Sequence, residues 1–564
     1  MKLLWAAASL AFGGLVAQSA ASATFTGKIM GDDGKPVAGA MVTLNDEKKG
    51  VAESVFSDAA GAFRLSTALS GELNLRIRKF YYADLDRPVS LSADATVKGD
   101  FTLNTLKTAE AISDDLPAAY HFGEIAFEPG TKLSQGKFQT DCTTCHELGN
   151  AFTRWPRSLD DWTALVRRMH GKMLNKDEAL IKHRAELIAA AFNGKPISVR
   201  PVFPYDPALA RAKIVEYRLD KADGPHDAAV SPIDGLVYTV DQSGDQIEVT
   251  DLKAGTTEYI HQPHDGMMPG GKFAELGMRA AEGDHYRGPH SLSFGKDGRW
   301  YVTDSTAAAI GVFNPKTKAW DKSFVIPGKN TLYPHTIRTD HAGIVWFTIG
   351  TNQIGRLDPT TGNVTVIQLA ETQTTGMSPS APYGIDINPK DGSVWFMRLF
   401  GDKIGRVDAK TFTVQEWASP IEGPRRGHFD SEGHLWVTGY SNGDIARIEP
   451  DGANGFKSEV IKMPEFAKNM RPAPYALGID PKTGDIWVNE TQTEHTYRYI
   501  PSQKHWIAYP MPLHGTYTRD VTFTKEGYAC MSNNPAPNAA LEGGVTELIC
   551  IHPEGDLKVE ARAD

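Results

Sequence analysis

Pro382-Tyr383-Gly384-Ile385-Asp386, then Asp391-Gly392-Ser393-Val394-Trp395-Phe396, then Lys403-Ile404-Gly405-Arg406-Val407-Asp408, then Val414-Gln415-Glu416-Trp417: these four pieces decide the fold. Each has the length of a strand and is rich in β-branched and aromatic residues. Turn signals separate them. The same pattern begins again at Pro225-His226, Pro289-His290, Pro334-His335, Pro424-Arg425, Pro474-Tyr475 and Thr518-Arg519, which makes seven units, mostly forty to fifty residues apart. A four-stranded unit of this size cannot cover its own hydrophobic face, and such units close radially into a β-propeller. The repeats therefore predict a seven-bladed β-propeller over residues 211–564. Lys213-Ile214-Val215-Glu216-Tyr217 has the character of a fourth strand yet precedes the first unit, so it is expected to complete the seventh blade and latch the ring.

The chain before the propeller divides into three parts. Lys2, an apolar stretch over residues 3–16 and the small residues Ala21-Ser22-Ala23 have the layout of a cleavable secretory signal over 1–23, too short to span a bilayer. Delivery to the periplasm is the expectation, with no membrane span left after cleavage. Residues 24–105 alternate apolar and polar positions between turn signals such as Asp32-Asp33-Gly34-Lys35-Pro36, which predicts a small β-sandwich. Residues 124–197 change period. Leu159, Trp162, Leu165, Val166 and Met169, and then Leu180, Ile181, Leu187, Ile188 and Ala191, follow helical spacing. The predicted fold class is thus multidomain and mainly β: a small sandwich, a helical unit and a propeller.

Within the helical unit, Cys142, Cys145 and His146 form the Cys-x-x-Cys-His pattern. Two thiols three residues apart can make thioether bonds to haem vinyl groups while the adjacent imidazole binds the iron, so one covalent haem c is expected here, with a helical cytochrome c domain around it. A zinc site would need partner cysteines that are absent. Met169 is the first candidate for the second axial ligand and Met173 the next, with His170 and His183 as bis-histidine alternatives. The remaining two of the four cysteines, Cys530 and Cys550, sit in strand-like flanks where an oxidising compartment permits a disulfide.

Hydrophobic residues make up 41% of the 564 and charged residues 23%, which is ordinary globular composition, and a net charge of −10 without a basic cluster argues against nucleic acid as a partner. The residue that opens each inner strand should face the propeller axis. His226, His290, His335, Tyr383, Arg425 or His428, Tyr475 and Arg519 are therefore expected to form a polar, cationic ring, with Asp241, Asp304, Arg398, Tyr440 and Glu490 near it. The longest gap between units, between His226 and His290, holds His261, His264, His285 and a Gly-rich loop over one face.

Three resemblances bear on these parts. Gly27-Lys28-Ile29, residues 36–42 and Gly61-Ala62-Phe63-Arg64-Leu65 resemble the carboxypeptidase regulatory-like family, in which the module is accessory. Trp162, Val166, Arg168 and Met169 resemble the ligand region of small c-type cytochromes. The Trp-Phe inner strands and the turns Ile354-Gly355-Arg356-Leu357-Asp358 and Ile404-Gly405-Arg406-Val407-Asp408 resemble the streptogramin (virginiamycin B) lyase family over about 211–555. That resemblance implies a histidine acting with a metal held by flanking carboxylates. His290 with Asp304, and His226 with Asp241, keep the later acid, while Gly288 and Tyr333 stand where the earlier acids belong. A ring rich in histidine and poor in acid suits a transition metal or an anionic substrate better than magnesium. The sequence leads to a periplasmic haem c oxidoreductase, or a subunit of one, with His290, His335 and His226 as catalytic candidates and a possible divalent metal in the channel. Its propeller would meet a small organic substrate or an electron-donor or electron-acceptor protein. A lyase-like enzyme carrying a cytochrome domain and a non-catalytic electron-transfer and docking protein are the alternatives.

Overall fold

The structure is a computed structural model describing residues 22–172, 176–279, 283, 285–371, 381–535 and 545–555. The protein is multidomain and mainly β, with few helices. The expected signal segment lies almost wholly outside the described residues. Ala23, at its end, opens the strand Ala23–Gly31.

Six consecutive antiparallel sheets each run in chain order from an inner to an outer strand, beginning with Pro225–Val230, Pro289–Phe294, Pro334–Thr339, Ile385–Ile387, Pro424–Phe429 and Pro474–Ile479. Second strands such as Val345–Ile349 and Val394–Arg398 are buried along their whole length, because a blade's middle is covered on both faces by its neighbours. The seventh sheet joins Thr522–Phe523, Ala529–Asn533 and Glu547–His552 to Lys213–Arg218. The latch expected from the repeat pattern is therefore present, with Glu547 opposite Arg218 and His552 opposite Lys213. Cys530 and Cys550 lie directly opposite each other in this sheet and are joined by a disulfide.

The latch strand has a second partner. Its other edge pairs with Val51–Phe56 of the N-terminal module, so that a single eight-stranded sheet runs from the seventh blade through Met41–Asp46 and Gly71–Arg78 to Leu85–Leu91. Val215 and Tyr217 from the latch, Cys530 and Leu548 from the blade, and Phe25, Val42, Val55 and Leu75 from the module share one apolar core. The module's other sheet is built on Ala23–Gly31.

Between module and latch the chain forms helices Ala109–Asp114, Ala118–Phe122, Gln135–Cys142, Leu159–Lys172 and Glu178–Ala191. Asp177 caps the last of these by accepting from Leu180 N. Phe122, Phe138, Trp162, Val166, Ile181 and Ile188 form its core, so the helical unit takes in Phe122, ahead of residue 124.

The latch carries one buried acid. Burial pushes the Glu216 carboxyl up to about 8, and burial together with Glu216 raises that of Glu547. The folded protein thus binds protons at pH values where the unfolded chain has lost them, and stability contributed by these protons is present at acid pH and lost as the pH rises from about 4.5 towards 8. Glu216→Gln is expected to stabilise the protein at pH 8 relative to pH 5 and to flatten that part of its stability profile, as measured by denaturant midpoints across the range.

Candidate functional site

Five of the inner strands open with one shared device. Proline comes first, where its missing N–H is harmless to the ladder, and the pairing register then slips: between Pro225 and Ala228, Pro289 and Leu292, Pro334 and Ile337, Pro424 and Gly427, and Pro474 and Ala476. Such a bulge re-aims the side chain that follows the proline. Those side chains are His226, His290, His335, Arg425 and Tyr475, and they meet one another. Ring centroids lie 3.7 Å apart for His226 and His290, 4.0 Å for His290 and His335, and 4.0 Å for His335 and Tyr383. Arg425 donates to the Tyr383 hydroxyl at 2.6 Å and lies 3.8 Å over the Tyr475 ring. Arg519 donates to the Tyr475 hydroxyl, which in turn stands 3.4 Å from His226 Nε2 and closes the circle.

The electrostatics are those of a buried, partly neutral ring. Burial lowers the His226 imidazole to about 4 and holds His290 and His335 well below their ordinary value, with neighbouring histidines and Arg426 adding to the effect. Burial would raise the Tyr475 phenol, yet Arg519, Arg426 and Arg425 outweigh it and hold the group below its usual range. Asp227, next in sequence to His226, is fully buried. Its Oδ1 lies 3.0 Å from His226 Nδ1, and Arg426 clamps both carboxylate oxygens at 2.9 and 2.8 Å.

The Cys-x-x-Cys-His motif sits on this ring. Helix Gln135–Cys142 ends on the first cysteine, and the two intervening residues enter the mouth of the channel: Arg425 donates to Thr144 Oγ1 at 3.1 Å and to its carbonyl at 2.9 Å, and Tyr440 and Tyr517 both donate to the Thr143 carbonyl. Gln139 donates to the carbonyls of Tyr440 and Pro472, and Lys137 pairs with Asp402 at 3.0 Å. A continuous packed path therefore runs from Thr144 through Arg425 and Tyr475 to His226. On the outer side Cys142 is half-buried and Cys145 exposed. His146 Nδ1 bonds the Glu147 carbonyl at 2.8 Å, which places its proton there and leaves the Nε2 lone pair available as a ligand.

Other residues singled out from sequence have different surroundings. Asp241 accepts from the backbone N–H groups of Asp223, Gly224 and Gly244 and braces a turn. Asp304 is held by Gln262 at 2.8 Å, and burial pushes it up to about 7. Glu490 accepts from backbone N–H groups of its own turn. Arg398 pairs with Glu416 and Asn352. His428 belongs to a cluster with Asp386, Asp520 and Arg338, so Arg425 is the ring residue of its blade. In the long loop, His264 stacks on Tyr286 with centroids 3.6 Å apart. Met169 is half-buried on Leu159–Lys172. The next residue, His170, is buried and 3.5 Å from Arg184, which reaches to 4.0 Å from Cys142 Sγ. His183 pairs with Glu128 near the surface, and Met173 lies outside the described residues. Sequence reading missed Asp227, although its position beside a ring histidine was a usable signal. It also missed Thr143 and Thr144.

The fold and ring define a β-propeller protein with an inserted helical unit. Comparison with known proteins finds family similarity for two segments. Residues 279–456 match the virginiamycin B lyase family, and residues 24–104 match the carboxypeptidase regulatory-like domain. No curated protein matches the chain. Among solved structures, a selenomethionine-substituted virginiamycin B lyase from Staphylococcus aureus is similar at 20% identity and a TM-score of 0.48, covering 60% of this chain and 99% of its own. A streptogramin B lyase is similar at 19% identity and a TM-score of 0.47, covering 60% and 97%. Kuenenia stuttgartiensis hydrazine synthase is similar at 14% and 0.43, covering 55% and 92%.

Arg425 is the hinge pin of the arrangement. Arg425→Met removes its donors to Thr144, and hydrogen-exchange protection of residues 142–146 is expected to fall by about 2 kcal/mol, with exchange elsewhere in the helical unit little changed.

Proposed function

We propose that the protein is an exported redox protein carrying one covalent haem c on Cys142, Cys145 and His146, working as an oxidoreductase or oxidoreductase subunit whose propeller ring receives an organic substrate or a partner. The observation that carries this reading is the grip of Arg425, Tyr440 and Tyr517 on Thr143 and Thr144, which holds the attachment motif against the ring of buried histidines and tyrosines. Haem supplies one-electron chemistry when bound. What the chain itself does is position: Glu147 fixes the His146 tautomer, and Arg425 ties the motif to the ring.

The cysteines support attachment over thiol chemistry. Burial pushes the Cys142 thiol up to about 11, whereas reactive cysteines have lowered values. Residues 1–23 favour export to the periplasm, where haem attachment takes place and an electron-donor or electron-acceptor protein would be met. Among the described residues no helix is long and apolar enough to cross a membrane. Met169 would be the further side chain to hold the haem iron.

A second reading, a lyase-like enzyme sharing its chain with an electron carrier, draws on the match to the virginiamycin B lyase family over residues 279–456. It leaves the motif without a task, because elimination needs no electron acceptor. A purely docking role for propeller and sandwich is the remaining alternative.

Protein matured in a periplasm with haem-attachment machinery is expected to show a reducible haem c spectrum and to lose covalent haem in Cys142→Ala. Absence of haem from the mature wild type would overturn the reading. Met169→Ala is expected to alter the visible spectrum and lower the reduction potential, because thioether ligation raises it. An unchanged spectrum would move the assignment to Met173, His170 or His183.

A further inference from the structure

We propose that His226, His290 and Asp227 bind a divalent first-row transition ion of the zinc or copper type at the head of the propeller ring, a second metal centre separate from the haem motif. The candidate ligand atoms of these three residues all lie within 4.8 Å of one another, and all three side chains are buried. The His226 Nδ1 to Asp227 Oδ1 separation of 3.0 Å suits two ligands that share one ion, because metal–ligand bonds of about 2.0–2.2 Å place neighbouring donors about 3 Å apart.

A second, independent observation points to a ligand here. His290 is 2% exposed, and its Nδ1 has no hydrogen-bond partner among the described residues. A buried imidazole nitrogen left unsatisfied is destabilising unless something outside the chain uses it. His335 packs against His290 at a tilt, with ring centroids 4.0 Å apart, and restricts its ring.

The donor set decides the kind of metal. Two imidazoles and one carboxylate suit zinc or copper, whereas magnesium asks for oxygen ligands and several waters. Arg425, Arg426 and Arg519 bring positive charge to the ring beside this site. Asp227 and Asp520 offset part of it. The remaining surplus favours an anion in the ion's open position.

The test uses the full mature chain, stripped with chelator and titrated with zinc, copper or magnesium. One equivalent of zinc or copper is expected to bind, resisting millimolar magnesium. His290→Ala and Asp227→Asn should each weaken zinc at least about 100-fold, the upper end of what loss of a supporting group alone produces, with the visible spectrum at the motif unchanged. Because these variants remove buried groups, zinc-edge X-ray absorption of the wild type provides a check that needs no substitution, and two imidazoles in the first shell are expected. No stoichiometric binding, undiminished affinity in His290→Ala, or a shell without imidazole would each overturn the proposal. A protein that binds zinc but carries no haem would leave this site standing and remove only the haem reading.

Discussion

Pairing of Lys213–Arg218 with Glu547–His552 is the constraint on which the rest depends. It closes the ring with a strand drawn from ahead of the first repeat, so the seventh sheet is built from the two ends of the propeller segment. It also defines the helical unit as an excursion. The chain leaves the N-terminal module after Phe101–Leu103, in the module's four-stranded sheet, and returns into the latch, in the eight-stranded one, and residues of both share one apolar core. With its two ends pinned there, the helical unit lies against the propeller face, and its Cys-x-x-Cys-His turn comes to rest at the axis.

At the axis, local backbone geometry and long-range electrostatics meet. Each proline-led bulge delivers one side chain, and what that side chain can do follows from the others delivered beside it. Three imidazoles stay neutral because they are buried together. Asp227 stays ionised because Arg426, on the opposite side of the ring, clamps it, and burial would otherwise raise its carboxyl. Tyr475 is the point at which the two halves join, in contact with His226 on one side and with Arg425 and Arg519 on the other.

Much of this architecture is legible in the chain because a blade is a local object. Its turns, alternating strands and Pro-X openings fall within one repeat, and the repeat count follows from them. The identity of the ring follows from the same periodicity, since every X occupies an equivalent place. What stays hidden depends on partners distant in sequence. Asp227 gains its meaning from Arg426, 199 residues away. Thr143 and Thr144 are the variable positions of their motif, so nothing local marks them as docking residues. Asp241 and Asp304 sit at plausible distances from histidines in sequence, but a strand's alternation turns them towards backbone amides and Gln262 instead. The pairing of Cys530 with Cys550 depends on strand register, which flanking alternation leaves undefined.

The shared sheet also bears on how the protein can be taken apart. Sequence families divide the chain near residue 105, yet the eight-stranded sheet crosses that boundary, and Val51–Phe56 covers the outer edge of the latch. An excised propeller would present Lys213–Arg218 as an open edge of backbone donors and acceptors, an invitation to pair with a second molecule. Modules that look interchangeable as cassettes are here parts of one load path, and the accessory sandwich serves as the propeller's outer hem.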